Sequence, residues 1–226
     1  MLEKWENLPD CMKNDEVKKY YMRLKEKENS LFIKRLFDIW MSVFLLILLA
    51  PVLIVTAVMI KLDSSGPVIF RQTRVTAYNR DFTIYKFRSM VDNAARLGSS
   101  VTVSEDSRIT RMGHFMRKYR IDELPQLINV LKGDMSFVGT RPEVRKYVDA
   151  YTPEMMATLL MPAGITSNAS IMYRDEDELL SDSGNADKTY IDIILPEKME
   201  YNLRSVKRFS LLSDVITMIR TVLAVI

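Results

Sequence analysis

Ile39-Trp40-Met41-Ser42-Val43-Phe44-Leu45-Leu46-Ile47-Leu48-Leu49-Ala50-Pro51-Val52-Leu53-Ile54-Val55-Thr56-Ala57-Val58-Met59-Ile60 runs for 22 residues without a charge, and Pro51 divides it. A straight helix of about 20 apolar residues crosses a bilayer core of roughly 30 Å. By length, the segment reads as membrane-embedded. Lys34 and Arg35 precede it, and Lys61, Arg71 and Arg74 follow it. Basic residues favour the cytoplasmic side, so a single span would carry one basic flank across. A helix that enters and turns back keeps both flanks on one side. Pro51 supplies a cause for the turn, because it removes a backbone hydrogen bond and crowds the preceding turn. Each half then reaches about 15–18 Å at roughly 1.5 Å per residue, half a bilayer. Kinked spanning helices also tolerate proline, so an ordinary span is the competing reading. A signal peptide fits poorly, since the run is too long and no small-residue cleavage site follows it. So does a buried helix of a soluble core.

The rest of the chain is water-facing in composition. Of its 226 residues, 27% are charged and 48% hydrophobic, enough for one core plus an anchor. The formal charge is +3. That mild basicity suits an anionic lipid surface or a phosphorylated substrate, and it is not that of a nucleic-acid binder. Cys11 is the only cysteine, which excludes an intramolecular disulfide and fits a reducing compartment. His114 is the only histidine, so zinc sites built on several His and Cys ligands are excluded. Any Ser-His-Asp arrangement would have to use His114. The 15 methionines are spread along the chain as core and membrane-interface filler.

Outward from the apolar run, residues 1–30 read as a charged helical extension, 31–62 as the re-entrant helix and 63–226 as a cytoplasmic domain. In the extension, Asn14 or Asp15 can cap a helix whose Val17, Tyr20, Tyr21 and Leu24 share one face. After the turn Asp63-Ser64-Ser65-Gly66-Pro67, the stretches 68–72 and 82–87 read as short strands joined as a hairpin. Polar residues 92–107 read as a mobile loop. Helices are expected over 109–119, 122–132 and 153–160. A turn follows at Pro162-Ala163-Gly164, then an acidic loop over 174–189 and helices over 198–206 and 211–225. The fold class is α/β, with a small sheet and amphipathic helices at the membrane interface.

Candidate chemistry concentrates between Arg117 and Glu143. Asp122 is placed as a helix N-cap, with Glu123 in the first turn, Pro125 tolerated early and Gly133 ending the helix. Arg117, Lys118 and Arg120 precede the Asp-Glu pair and Arg141 follows it. Arginines around a helix N-terminus suit an anion such as phosphate. An ionised Asp can attack phosphorus without a separate base, and an adjacent Glu can help hold a divalent metal. Two readings stay open from these residues: a capping Asp122, and a phosphoryl-transfer nucleophile with Glu123 and Asp122 as metal ligands.

Five motifs carry a resemblance. They are Lys34-Arg35-Leu36-Phe37-Asp38, Tyr85-Lys86-Phe87-Arg88-Ser89-Met90, Ile121-Asp122-Glu123-Leu124-Pro125-Gln126, Asn129-Val130-Leu131-Lys132-Gly133-Asp134-Met135-Ser136 and Val138-Gly139-Thr140-Arg141-Pro142. In order and spacing the chain resembles, over about residues 32–225, the bacterial sugar transferases, the small monotopic phosphoglycosyl transferases. The resemblance implies transfer of a phospho-sugar from a UDP-sugar to a polyprenyl phosphate, with release of UMP, in the initiating step of surface-glycan synthesis. It implies Asp122 as the covalent nucleophile, Glu123 as its magnesium-associated partner, and Arg141 and Pro142 as a nucleotide-binding turn. Lys86, Arg88 and Arg117 match basic positions near the phosphates. It further implies a re-entrant helix bent at Pro51, on the cytoplasmic face of the bacterial inner membrane, with membrane lipid as a partner and room for a homo-oligomer. The chain departs from the family at Pro162-Ala163-Gly164-Ile165-Thr166-Ser167-Asn168-Ala169-Ser170, which bears on the choice of sugar, and in having Ala50 before Pro51 where Ser is usual. The rival from another class is a non-catalytic membrane-bound scaffold that keeps the fold, against which the intact Asp122-Glu123 pair argues.

Overall fold

A computed structural model describes residues 2–92, 94, 106–174 and 186–225. In chain order the elements are α1 (Asp15–Lys25), α2 (Glu28–Leu48), α3 (Ala50–Asp63), β1 (Ile69–Thr76), β2 (Arg80–Phe87), α4 (Arg111–Lys118), α5 (Gln126–Lys132), β3 (Met135–Val138), α6 (Arg145–Val148), β4 (Ala163–Thr166), α7 (Asn168–Met172), α8 (Ala186–Thr189), α9 (Leu195–Lys207) and α10 (Leu211–Val225). The mixture of helices with small sheets is α/β, as expected.

The apolar run forms α2 and α3, which meet at a 62° bend. Pro51 lies in the first turn of α3 and Leu49 joins the two helices with φ −92° and ψ 3°. The bend follows from the missing amide of Pro51, while Leu49 N→Leu45 O and Leu53 N→Leu49 O at 2.8 and 2.9 Å keep the backbone bonded on either side. Among the described residues, no single helix is long and apolar enough to cross a membrane, and the bent pair meets that criterion together. Its outer side exposes Trp40, Ile47, Ile54 and Leu62, the last by 79%. Its polar Ser42 and Thr56 are buried instead, and Ser42 Oγ donates to Asp38 O at 2.6 Å. The bent pair thus buries its hydroxyls and leaves large apolar side chains exposed.

β1 and β2 pair antiparallel from Ile69↔Phe87 to Thr76↔Arg80, with Tyr78 and Asn79 at positive φ in the turn between them. The hairpin is as read from sequence, but both strands run further into the polar connection, β1 to Thr76 and β2 from Arg80. A second sheet was not expected: β3 and β4 pair in parallel, Met135↔Ala163 and Val138↔Thr166. The turn expected at Pro162-Ala163-Gly164 is thus the start of a strand. Gly164 belongs there because the two strands meet at glycine: a Cβ on Gly164 would lie 2.2 Å from Gly139 N. Four-residue strands of small residues carry too little alternation to be told from a turn. The helix expected over 153–160 is a 3-10 helix, Met155–Leu160. Polar stretch 92–107 and acidic stretch 174–189 lie mostly outside the described residues.

α1 begins as read, with Asn14 Oδ1 accepting from Val17 N at 2.9 Å. Its Val17, Tyr20, Tyr21 and Leu24 enter the largest core cluster with Leu160, Ile194, Leu195 and Met199. The extension therefore packs on the C-terminal helices. A second cluster, of Phe82, Ile84, Val130, Met135 and Ala163, binds the hairpin to α5 and the parallel sheet. A third joins Ile60 of α3 to Phe87 and Met116. The hairpin and α5 are thus held between the bent helix pair and the C-terminal core.

Candidate active site

Asp122 and Glu123 sit in a 3-10 turn, Ile121–Glu123, entered through Arg120 at φ 54°. Their relative exposures are 6% and 7%. The turn does not run into a helix capped by Asp122, as the sequence suggested. α5 starts only at Gln126 behind Pro125, and no side chain caps it. Bonds of the tighter kind, Leu127 N→Leu124 O and Ile128 N→Pro125 O at 3.1 Å, link the two pieces. Asp122 Oδ1 is buried without a hydrogen-bond partner. A buried acceptor left unpaired is costly, so its presence needs an explanation other than capping.

Two cations converge on Glu123. Lys86 Nζ, from β2, lies 2.8 Å from Oε1, and Arg141 Nη2, just beyond β3, lies 3.0 Å from the same oxygen. The strands aim these side chains because α5 is anchored to both sheets. Asn129 accepts from Tyr85 N at 3.0 Å and donates to Thr83 O at 2.7 Å, locking α5 to β2. At the other end Gly133, at φ 92°, closes α5, and Arg35 of α2 donates to Val130 O and Leu131 O at 2.6 and 2.8 Å. Arg35, just before the apolar run, thus ties α2 to the site helix.

The electrostatics separate the two carboxyls. Burial works against ionising Glu123, yet Arg141 and Lys86 overcome it and hold the carboxyl well below the usual range. Asp122 is pushed up, first by burial and then by the charge of Glu123, against the opposing pull of Lys86, Arg117 and Arg120. Burial likewise lowers Lys86, which Glu123 opposes. One carboxylate is therefore neutralised in a fixed ion cluster, and the other is desolvated with an open oxygen.

The remaining expected residues distribute as follows. Arg117 Nε lies 3.3 Å from Ser89 Oγ, and its charge reaches Asp122. Arg88 turns away, donating to Ser64 O and Oγ at 2.7 and 3.0 Å, so it ties β2 to the end of α3. Pro142 O accepts from Arg74 Nη1 at 3.1 Å. Behind it, Glu143 Oε1 accepts from Tyr190 OH at 2.5 Å, and Lys198 Nζ donates to Tyr190 OH at 3.0 Å. That buried chain, with Val75 N→Glu143 O at 2.9 Å, fixes the Arg141–Pro142 turn against β1 and the C-terminal helices. Sequence reading passed over Glu143 and Tyr190, whose only signal was adjacency of Glu143 to the turn. It also passed over Gln126, whose Nε2 is buried without a partner one turn beyond Asp122.

Among the described residues, no group of three or more His, Cys, Asp or Glu could hold a metal by itself. Magnesium does not need one: it commonly takes one or two carboxylates plus substrate phosphates. The carboxyls that could serve this mode are Asp122, whose buried Oδ1 has no hydrogen-bond partner, and Glu123, whose Oε1 already faces Lys86 and Arg141.

The chain matches the family described as bacterial sugar transferase over residues 29–226. It is 43% identical over 194 residues to the UDP-N-acetylgalactosamine-undecaprenyl-phosphate N-acetylgalactosaminephosphotransferase of Aeromonas hydrophila, covering 84% of this chain and 43% of that one. It is 34% identical over 187 residues to the UDP-glucose:undecaprenyl-phosphate glucose-1-phosphate transferase of Escherichia coli (strain K12), covering 81% and 38%. A putative undecaprenyl-phosphate N-acetylgalactosaminyl 1-phosphate transferase of Bacillus subtilis (strain 168) is 43% identical over 125 residues, covering 55% and 70%. The chain thus spans less than half of the Aeromonas and Escherichia relatives.

Proposed function

The chain belongs to the bacterial sugar transferase family, and from that membership and the site's geometry we propose that it moves a phospho-sugar from a UDP-sugar to a polyprenyl phosphate. The observation that carries this reading is the buried Asp122 carboxylate, unpartnered at Oδ1, beside a Glu123 held by Lys86 and Arg141. In the first step a carboxylate oxygen of Asp122 attacks the phosphorus that bears the sugar. The bond from that phosphorus to the bridging oxygen breaks, and UMP leaves with the electron pair. In the second step an oxygen of polyprenyl phosphate attacks the same phosphorus. The acyl–phosphate bond breaks, Asp122 is freed as carboxylate, and polyprenyl diphospho-sugar is released. Lys86, Arg117 and Arg141 stabilise charge on the phosphate oxygens, in a setting that excludes water.

Magnesium belongs to the same proposal. Glu123 and Asp122 would hold it, and it would neutralise charge on the diphosphate. The α2–α3 pair would enter the cytoplasmic leaflet of the inner membrane and turn back. Its support is the 62° bend at an apolar run, the basic flanks and the exposed leucines. The first step of surface-glycan synthesis is the role that this product would serve.

The test is UMP release from a panel of UDP-sugars by the purified protein in detergent with undecaprenyl phosphate. At least one sugar should give release that depends on the acceptor. Excess chelator should abolish it and added magnesium restore it. No release with any sugar overturns the reaction, and full release in chelator removes magnesium while leaving the reaction.

A further inference from the structure

Between α2, β3 and α10 lies a cavity of about 110 Å³, away from the ion cluster at Glu123. Phe37, Phe137, Val138, Val215 and Met218 supply its apolar walls. Three charged side chains also border it, and each is engaged within the protein. Lys34 Nζ lies 2.6 Å from Asp214 Oδ2, and Asp38 Oδ1 accepts from Phe137 N at 3.3 Å. Lys34 is taken up by Asp214 and the third group, Asp38, is an acid, so the border suits a neutral apolar chain better than a phosphate. A dry apolar cavity of about 150 Å³ holds a benzene ring, so this one suits a branched five-carbon unit.

Its position says which apolar chain. Ile33 of α2 and Val215 of α10 line the cavity and are themselves 51% and 41% exposed. Leu36 beside the first and Leu212 and Ile219 beside the second are more than half exposed, so the mouth opens between two apolar faces. At the other end, Val138 is a wall residue and Arg141 is only three residues further along. Three residues span at most about 11 Å of chain, and Arg141 touches Glu123 at 3.0 Å. The β3 wall of the cavity thus runs on directly to the Arg141–Glu123 contact, while the mouth faces the apolar surfaces of α2 and α10.

Resting on the function proposed above, we propose that this cavity binds an isoprenoid unit near the phosphate end of the polyprenyl acceptor. It would hold the acceptor's chain while the phosphate reaches Asp122. The donor does not use it, and this separates the two half-reactions. Met218→Trp and the smaller change Val215→Phe fill the cavity. Leu223→Trp places the same bulk on the same helix, at an exposed position away from its walls and mouth. Each protein is given an active UDP-sugar alone, and the phospho-sugar adduct is measured by intact mass. Undecaprenyl phosphate is then added at varied concentration and loss of the adduct is followed.

Met218→Trp and Val215→Phe should form the adduct at the wild-type rate. Their KM for undecaprenyl phosphate should rise about tenfold, with little change in the saturated rate. Leu223→Trp should match wild type. An unchanged acceptor KM in Val215→Phe, or an equal rise in Leu223→Trp, overturns the assignment. Should Met218→Trp lose the first half-reaction through misfolding, Val215→Phe decides. Absence of any adduct in wild type would instead overturn the covalent reading on which the site rests.

Discussion

Lys86 is the side chain through which the two carboxyls can be told apart. It neutralises Glu123 directly and lowers Asp122 at longer range. Asp122 must be ionised to attack, so turnover falls as pH drops through its raised pKa. Lys86→Met removes a charge that favours ionisation, so the acid limb of the kcat/KM profile should move to higher pH. Turnover near neutrality should fall about 10²-fold, the size seen when one charge-stabilising group is removed. An acid limb left in place would mean that Lys86 only packs against Glu123. The Asp122-Glu123 pair and its basic company were legible as a cluster of residue types. The direction in which each side chain points was not. Arg88 lies two residues after Lys86, just past the end of β2, and there it bonds to Ser64 and Ser65 behind α3 rather than to the carboxyls. Capping by Asp122 failed for a local reason: Pro125 moves the start of α5 beyond it.

At the scale of elements, strong patterns survived and short ones did not. The apolar run, its break at Pro51, the hairpin and α1 with its Asn14 cap follow from period, length and local chemistry. The β3–β4 pair depends on a contact between Gly139 and Gly164, 25 positions apart in sequence. No window of local sequence contains that contact. Pro51 is where an element carries the topology. Pro51→Ala restores the amide that can bond to Ile47 O, so α2 and α3 should approach one continuous helix long enough to span. Single cysteines at residues 30 and 66, in a Cys11→Ser background, should be labelled from the same side in the parent protein. In Pro51→Ala they should shift toward labelling from opposite sides. Opposite-side labelling already in the parent would make the pair an ordinary kinked span.

Over the whole molecule, two bodies of structure meet at the candidate site. The bent helix pair reaches it through Arg35 on the end of α5, and the C-terminal core reaches it through Tyr190 and Lys198 on Glu143. Such a layout places the polar candidate site beside an apolar helix pair, as the proposed reaction of a soluble donor with a lipid acceptor requires. The central claim is that Asp122 becomes covalently attached to the phospho-sugar, and one substitution isolates it. Asp122→Asn keeps size and shape, loses no hydrogen bond at Oδ1 and removes a buried charge next to Glu123. The variant should fold with a Tm at or above wild type, and its turnover should fall to background. The most direct measurement is the intact mass of each protein after incubation with an active UDP-sugar and no acceptor. Wild type should gain the mass of one phospho-sugar and lose it when undecaprenyl phosphate is added, and Asp122→Asn should gain nothing. An equal gain in the Asn variant, or acceptor-dependent turnover without any gain in wild type, would contradict the account.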